Sequence, residues 1–299
     1  MRTLVLGAAA GGGFPQWNCG CPNCVGVREG RHDLVARTQD AIAATADGAR
    51  FVLVNTSPDV LTQIQRAKAL WPRGPRHTPI SAIILTNGDM DHVLGLFSLR
   101  ESQPLALYAT RPVLAGLEQS AFIRTMRRFE GQLVARELAV DTDVALADAA
   151  GEPLGITARA FATPGKLPVH FVGHAEPSPD DAIGVSLSEP GGASLAYATA
   201  CASLEGLDLS AHAAVLFDGT FYREDELVRL GLSKAHAKDM AHMPISGPSG
   251  SLAQLASLGA RKVYTHINNT NPILAASEER RAVEAAGWEI AYDGMEIVT

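Results

Sequence analysis

Apolar positions along the chain cluster in short runs bounded by Gly, Pro, Asp and Asn, the pattern of strands buried on one or both faces. Thr3–Leu6 predicts a first strand, and Asp40–Ala46 and Arg50–Asn55 predict two more, joined at the hairpin-forming pair Asp47-Gly48. Ser57-Pro58-Asp59 predicts a helix start, with Ser57 as cap and Pro58 in the first turn, running to about Leu70. Strand Pro79–Leu85 ends at Thr86, and a polar loop leads to helix Val93–Glu101, strand Leu105–Ala109 and helix Arg111–Ser120. A similar order restarts near Gly155–Ala162. A hairpin of Ile183–Ser188 and Ser194–Ala198 turns on Pro190-Gly191-Gly192, followed by strand Ala213–Phe217 and helix Ser249–Leu258. Strand Lys262–Thr265 and helix Glu278–Ala286, stopped by Gly287, complete the pattern.

So many hairpins among the helices argue against a doubly wound parallel sheet. The expected class is α/β (α+β): two β-sheets packed face to face with helices on both outer sides, an αββα sandwich forming a single domain over residues 1–299. Loops leaving one edge of both sheets then converge on one cleft.

Composition narrows the function. Hydrophobic residues make up 46% and charged residues 19% of the 299, a globular balance that excludes a disordered chain. The formal charge of −7, with no basic run, argues against a nucleic-acid partner, whose phosphates need clustered cations. Apolar stretches such as Ala193–Ala202 are too short to span a bilayer, so no membrane anchor is expected, and the N-terminus reads as a strand and not as a signal peptide.

Three of the four cysteines, Cys19, Cys21 and Cys24, stand in the spacing C-x-C-x2-C. Thiols this close can wrap one tetrahedral Zn²⁺ with a further ligand, in a closed site that holds the fold. A reducing cytoplasm suits them. Cys201 reads as a core residue. The run Gly11-Gly12-Gly13 does not fit a nucleotide loop and reads as backbone freedom near a metal cleft.

The segment Thr86-Asn87-Gly88-Asp89-Met90-Asp91-His92 sits at a strand end. Two carboxylates, an amide and an imidazole crowd one loop, and a cation among them removes their mutual repulsion. Further polar signals end other strands: Thr163-Pro164-Gly165-Lys166, Asp218-Gly219-Thr220 and Thr265-His266-Ile267-Asn268-Asn269, with Met240-Ala241-His242 before a helix. Lys166, Asn268, Thr270 and Ser246 are candidate hydrogen-bond donors to a substrate, all in loops expected on that edge.

This order resembles the metallo-β-lactamase superfamily, with Asn87-Gly88-Asp89-Met90-Asp91-His92 in the place of its H-x-H-x-D-H motif. Lys166 stands where a later histidine belongs, Asp218 matches the bridging aspartate, His266 the final histidine, and His242 a histidine of the tRNA-processing nucleases. The cysteine cluster and Thr265-His266-Ile267-Asn268-Asn269-Thr270-Asn271-Pro272-Ile273 are similar to the family of pyrroloquinoline quinone (PQQ) biosynthesis B proteins. A related phosphodiesterase places a zinc-binding histidine three residues after its final motif histidine, which implies Asn269 as the fourth ligand here.

The departures carry the functional expectation. Asn87, Asp89 and Lys166 replace the histidines of one metal site, and an ammonium cannot ligate. Asp91, His92 and His266 remain, with Asp89 a weaker fourth ligand and His170 another donor near Lys166. Two histidines and one carboxylate form the ligand set of non-haem Fe(II) oxygenases. The resemblance implies an Fe(II)-dependent hydroxylase acting on the tyrosine ring of a Glu–Tyr unit from the PQQ precursor peptide, with O₂ and a reductant as co-substrates and other PQQ pathway proteins as possible partners. Asp218 is freed to orient a ligand or water, and Asn87, Lys166, His242, Ser246, Asn268 and Thr270 to bind substrate. The alternatives are a carrier for PQQ or its precursor and a metal-dependent phosphodiesterase or other hydrolase.

Overall fold

The computed structural model describes residues 1–120, 123–172 and 176–299. Fourteen strands occur among them, in the order β1 Arg2–Gly7, β2 Ala41–Thr45, β3 Phe51–Val54, β4 Ile80–Ile84, β5 Leu105–Ala109, β6 Leu133–Glu137, β7 Asp143–Ala147, β8 Pro153–Ala162, β9 Ile183–Ser188, β10 Ser194–Ala198, β11 Ala214–Asp218, β12 Arg261–Thr265, β13 Trp288–Ile290 and β14 Glu296–Val298. They form two seven-stranded sheets, β14-β1-β2-β3-β4-β5-β6 and β13-β12-β11-β10-β9-β8-β7. Each sheet is half hairpin and half parallel: β3 to β6 run parallel in one, β10 to β13 in the other.

Alternate residues decide the layers. Val5, Ile42, Val54 and Ile84 of the first sheet meet Ile156, Val185, Leu187 and Leu216 of the second in a shared core. The opposite faces are covered by helices. Leu53, Ile83 and Leu107 pack beneath helices Val60–Arg66 and Arg111–Glu118, while Phe217, Tyr264 and Trp288 pack beneath Glu278–Ala285. Parallel strands buried on both sides must be continuously apolar, and FVLV of β3 and Ala214–Phe217 of β11, up to Asp218 at its end, are. Two packed sheets with helices on both outer faces make the αββα sandwich expected from the sequence.

Three predicted helices are shorter than expected. The segment opening at Ser57 becomes helical only at Val60, because Ser57 Oγ accepts from Asp59 N in a local turn; it ends at Arg66, followed by a 3₁₀ turn at Lys68–Leu70. Met90–Val93 is helical, and Leu94–Leu99 tightens to 3₁₀ where Gly95 presses on the Ser57 carbonyl. Of Ser249–Leu258, only Ser251–Gln254 is α-helical. Helix Pro22–Arg28 and the short strands β6, β7, β13 and β14 were not expected. No helix among the described residues is long and apolar enough to cross a membrane.

A candidate metal centre at the strand ends

The carboxyl ends of β4, β11 and β12 open on one cleft of about 440 Å³, the position that parallel strands offer to ligands. Asp91 and His92 come from the loop after β4, and His266 from the residue following β12. Their ligand atoms lie within 4.8 Å of one another. The Nε2 atoms of His92 and His266 stand 3.8 and 3.5 Å from Asp91 Oδ2.

Hydrogen bonds fix which nitrogen each ring presents. Thr86 Oγ1 donates to Asn55 Oδ1 at 3.0 Å, so at 3.3 Å from His92 Nδ1 it can only accept. Likewise Thr220 Oγ1 donates to Asp218 Oδ1 at 2.7 Å and accepts from His266 Nδ1 at 2.9 Å. Both Nε2 lone pairs therefore face the carboxylate. His92 Nε2 is buried without a hydrogen-bond partner. An orphaned, buried acceptor beside a carboxylate and a second imidazole is a hole shaped for a cation, so these residues fit a metal ion.

The backbone is bent to make this hole. His266 adopts φ 54°, a left-handed conformation that costs about 1–3 kcal/mol and persists only where the surroundings impose it. Here the Gly219 amide holds the Thr265 carbonyl at 2.8 Å, and Thr265 Oγ1 donates to buried Asp40 at 2.6 Å. Asp40 in turn accepts from the Tyr197 hydroxyl. A Cβ on Gly11 would come within 3.0 Å of Asp91 Oδ2, so the glycine loop does lie against the carboxylate. Gly88 is held to glycine by packing: a Cβ there would meet the Phe171 ring at 2.5 Å.

Without a metal, charge in the hole is balanced by a proton. Burial opposes charging His266, but the hydrogen bond to Asp91 and the charges of Asp40, Asp91 and Asp218 outweigh it and lift the ring to about 9. Burial also works against ionised Asp91, yet His92 and His266 hold it well below the usual carboxylate range.

A second group, Asp218, His242 and His266, is already joined by hydrogen bonds. Fully buried Asp218 accepts from Cys201 N at 3.0 Å, from Thr220 N at 3.0 Å and Oγ1, and from His242 Nδ1 at 2.7 Å. Its lone pairs are spoken for. Asp218 orients His242, whose ring lines the cleft and stacks on His266 with centroids 5.3 Å apart.

The remaining predicted residues divide. Asn87, Asp89, Lys166, His170 and Asn268 line the cleft. Asp89 joins neither group of facing ligand atoms, and Asn87 Oδ1 accepts from the Asp89 amide at 3.0 Å, shaping the loop. Ser246 and Thr270 do not line the cleft, contrary to expectation. The Ser246 hydroxyl donates to the Tyr222 carbonyl at 2.7 Å, and Thr270 is buried with its hydroxyl on Glu226 Oε1 at 2.5 Å. Thr86, Asn55, Thr220 and Asp40, which set the ligands in place, were not anticipated from the sequence.

Away from the cleft, the sulfurs of Cys19, Cys21 and Cys24 converge within 4.8 Å, and none forms a disulfide. Asn269 reaches them with Nδ2 at 3.5 Å from Cys21 Sγ and 3.3 Å from Cys24 Sγ. Ligation through Oδ1 would require the amide turned over. Burial lifts the Cys24 thiol to about 11, although the Gln16 amide favours its thiolate. Three facing sulfurs fit a soft cation such as zinc.

Residues 50–267 match the beta-lactamase superfamily domain. The coenzyme PQQ synthesis protein B of Ruegeria pomeroyi is 42% identical over 307 residues, covering 100% of both chains. That of Methylobacterium nodulans is 43% identical over 99% of each. The chain belongs to the PQQ synthesis protein B family. The Zn²⁺-bound PqqB of Methylobacterium extorquens, 38% identical, superposes with a TM-score of 0.91 over the full length of both chains. A diphosphatase of the PhnP family, 21% identical, superposes at 0.67 over 100% of this chain and 97% of its own, a likeness of fold alone. Membership in the PQQ synthesis protein B family agrees with the resemblance read from the motifs.

Proposed function

We infer that this protein acts in the synthesis of coenzyme PQQ, as its family's name states, and that it does so as a metal-dependent hydroxylase of a tyrosine ring. The observation that carries the reading is the facing set of Asp91, His92 and His266 with an unpartnered, buried His92 Nε2. Two neutral imidazoles and one carboxylate leave open positions on an ion and suit Fe²⁺. Asp91, His92 and His266 would hold it, and iron bound there would supply the activation of O₂. Hydrolysis by a two-metal route is less well supported, because Asn87, Asp89 and Lys166 stand where the second ion's histidines would be.

The protein's own groups then have separate tasks. Thr86 and Thr220 keep both ligand rings in the tautomer that offers Nε2. His242, held by Asp218, accepts the phenolic proton of the substrate. Lys166, exposed at the cleft wall, attracts a substrate carboxylate, as the glutamyl part of a Glu–Tyr unit requires. Zinc on the three cysteines, with Asn269 beside them, holds the N-terminal loop. The reading takes residues 1–299 as one unit, because the two sheets share a core, and a reducing cytoplasm as its setting, which keeps the thiols free.

Anaerobic reconstitution with Fe²⁺, followed by O₂, a reductant and a tyrosine-containing dipeptide, should yield a product heavier by oxygen in mass spectrometry. Zinc in the same site should yield none. No product with iron, or equal product with zinc, would overturn the reading.

A further inference from the structure

Asn268 lies two residues after His266 and lines the cleft, and what stands behind it fixes its polarity. Its Nδ2 donates to Thr270 Oγ1 at 2.6 Å, and Thr270 Oγ1 donates to Glu226 Oε1 at 2.5 Å. The other carboxylate oxygen of Glu226 accepts from the Tyr222 amide at 2.8 Å. Glu226 is 5% exposed. Burial raises it above the ordinary carboxylate value, and Thr270, the amides of Tyr222 and Arg223 and the Arg223 charge offset only part of that rise.

A carboxylate only accepts, so Thr270 must spend its single hydroxyl proton on Glu226. The Thr270 oxygen can then only accept from its other neighbour. The Asn268 amide is thereby obliged to turn its NH₂ inward and its Oδ1 toward the cleft. This order of donors follows from chemistry and does not depend on telling nitrogen from oxygen in the amide. Negative charge at the buried end polarises the chain and enriches the carbonyl that ends it.

We propose that Asn268 Oδ1 is the acceptor for a positively charged N–H donor of the substrate, an amino-acid ammonium group, and that Glu226 and Thr270 set this preference from outside the cleft. It reverses the donor role expected for Asn268 from sequence. The proposal rests on the reading that the cleft takes a tyrosine-bearing unit, and adds that this unit enters with its amine free. Lys166 and Asn268 would then sort the carboxylate from the amine.

Binding of tyrosine and of N-acetyltyrosine, measured by calorimetry at pH 8 without O₂ on the protein as isolated, tests it. Tyrosine should bind about tenfold tighter, the size of one hydrogen bond to a charged group. Glu226→Gln offers Thr270 a donor, so the hydroxyl turns to Asn268 Oδ1 and the amide presents NH₂ instead. The tyrosine preference should vanish or invert in that variant, and Thr270→Val should weaken it. A merely structural defect would lower both probes together. Equal binding of the two probes to the wild-type protein, or a preference unchanged in a folded Glu226→Gln or Thr270→Val protein, overturns the proposal and leaves hydroxylation standing. An amine preference that persists in a protein that never hydroxylates sinks the hydroxylase reading and not this one.

Discussion

His92 and His266 meet edge to face, with ring centroids 5.5 Å apart and planes at 84°, and both direct Nε2 at the same Asp91 oxygen. One ring comes from the first sheet and the other from the second, so the site exists only where the sheets are correctly docked. Its chemistry is separable from the fold, because the shared core lies elsewhere.

His92→Ala should therefore abolish iron binding and ring hydroxylation while leaving one zinc on the cysteines. Metal analysis after anaerobic reconstitution checks this. Retention of both ions would show that the ligands are assigned wrongly.

Thr220→Val removes the acceptor that fixes the His266 tautomer and the hydroxyl that closes on Asp218. Outer partners of this kind typically contribute roughly 10–100-fold in metal affinity. A competition titration with a chelator should show a loss in that range, with the melting temperature lowered by a few degrees at most.

Proton and metal compete for His266. In the metal-free protein the folded ring is lifted to about 9, above its ordinary 6.5. That contribution to stability is fully present below about pH 6.5 and is lost as pH rises through about 9. Metal binding must displace the proton, so affinity should rise with pH, by up to roughly tenfold per unit, until about pH 9. Calorimetry in buffers of different ionisation enthalpy at pH 7.5 should find about one proton released per ion bound. Zero release would refute the assignment.

Gly11→Ala places a methyl group 3.0 Å from Asp91 Oδ2. Since Gly11 is exposed and the backbone tolerates alanine, stability should hold while metal affinity falls. An unchanged affinity would mean that Asp91 moves aside without consequence.

Cys21→Ser should cost more, because a structural zinc site is folding free energy. Low solubility and a lowered melting temperature are expected, together with loss of zinc. A Cys21→Ser protein that folds normally without zinc would remove the structural role from the cluster.

The sequence made visible what is local. Asp91 and His92 follow a β-branched run, His266 ends another, and the cysteines carry their own spacing, so each could be placed at a strand end from its neighbours alone. The hairpin Ile183–Ser188 with Ser194–Ala198 agrees with the structure to the residue because both strands are buried and the turn is rich in glycine. Strand β6 escaped notice because alternate residues of LVARE face water. Asp40, Asn55, Thr86 and Thr220 escaped for another reason. The partners of Asp40, Thr265 and Tyr197, lie far along the chain, and an isolated Thr or Asn bears no mark of the ring it steadies. The Asn268 polarity was legible in neither composition nor spacing, since it depends on Glu226 from a separate helix.

The strained turn at His266 also stands far along the chain from its partners, which sets an order on their assembly. Ribosomes deliver Asp91 and His92 long before His266, and Asn269 three residues after it. Until that late stretch emerges, the nascent protein offers an ion two donors at one site and three thiols at another, each lacking its neighbour from the C-terminal turn. An ion at the candidate site therefore meets its full set of facing ligands only once His266 has joined Asp91 and His92.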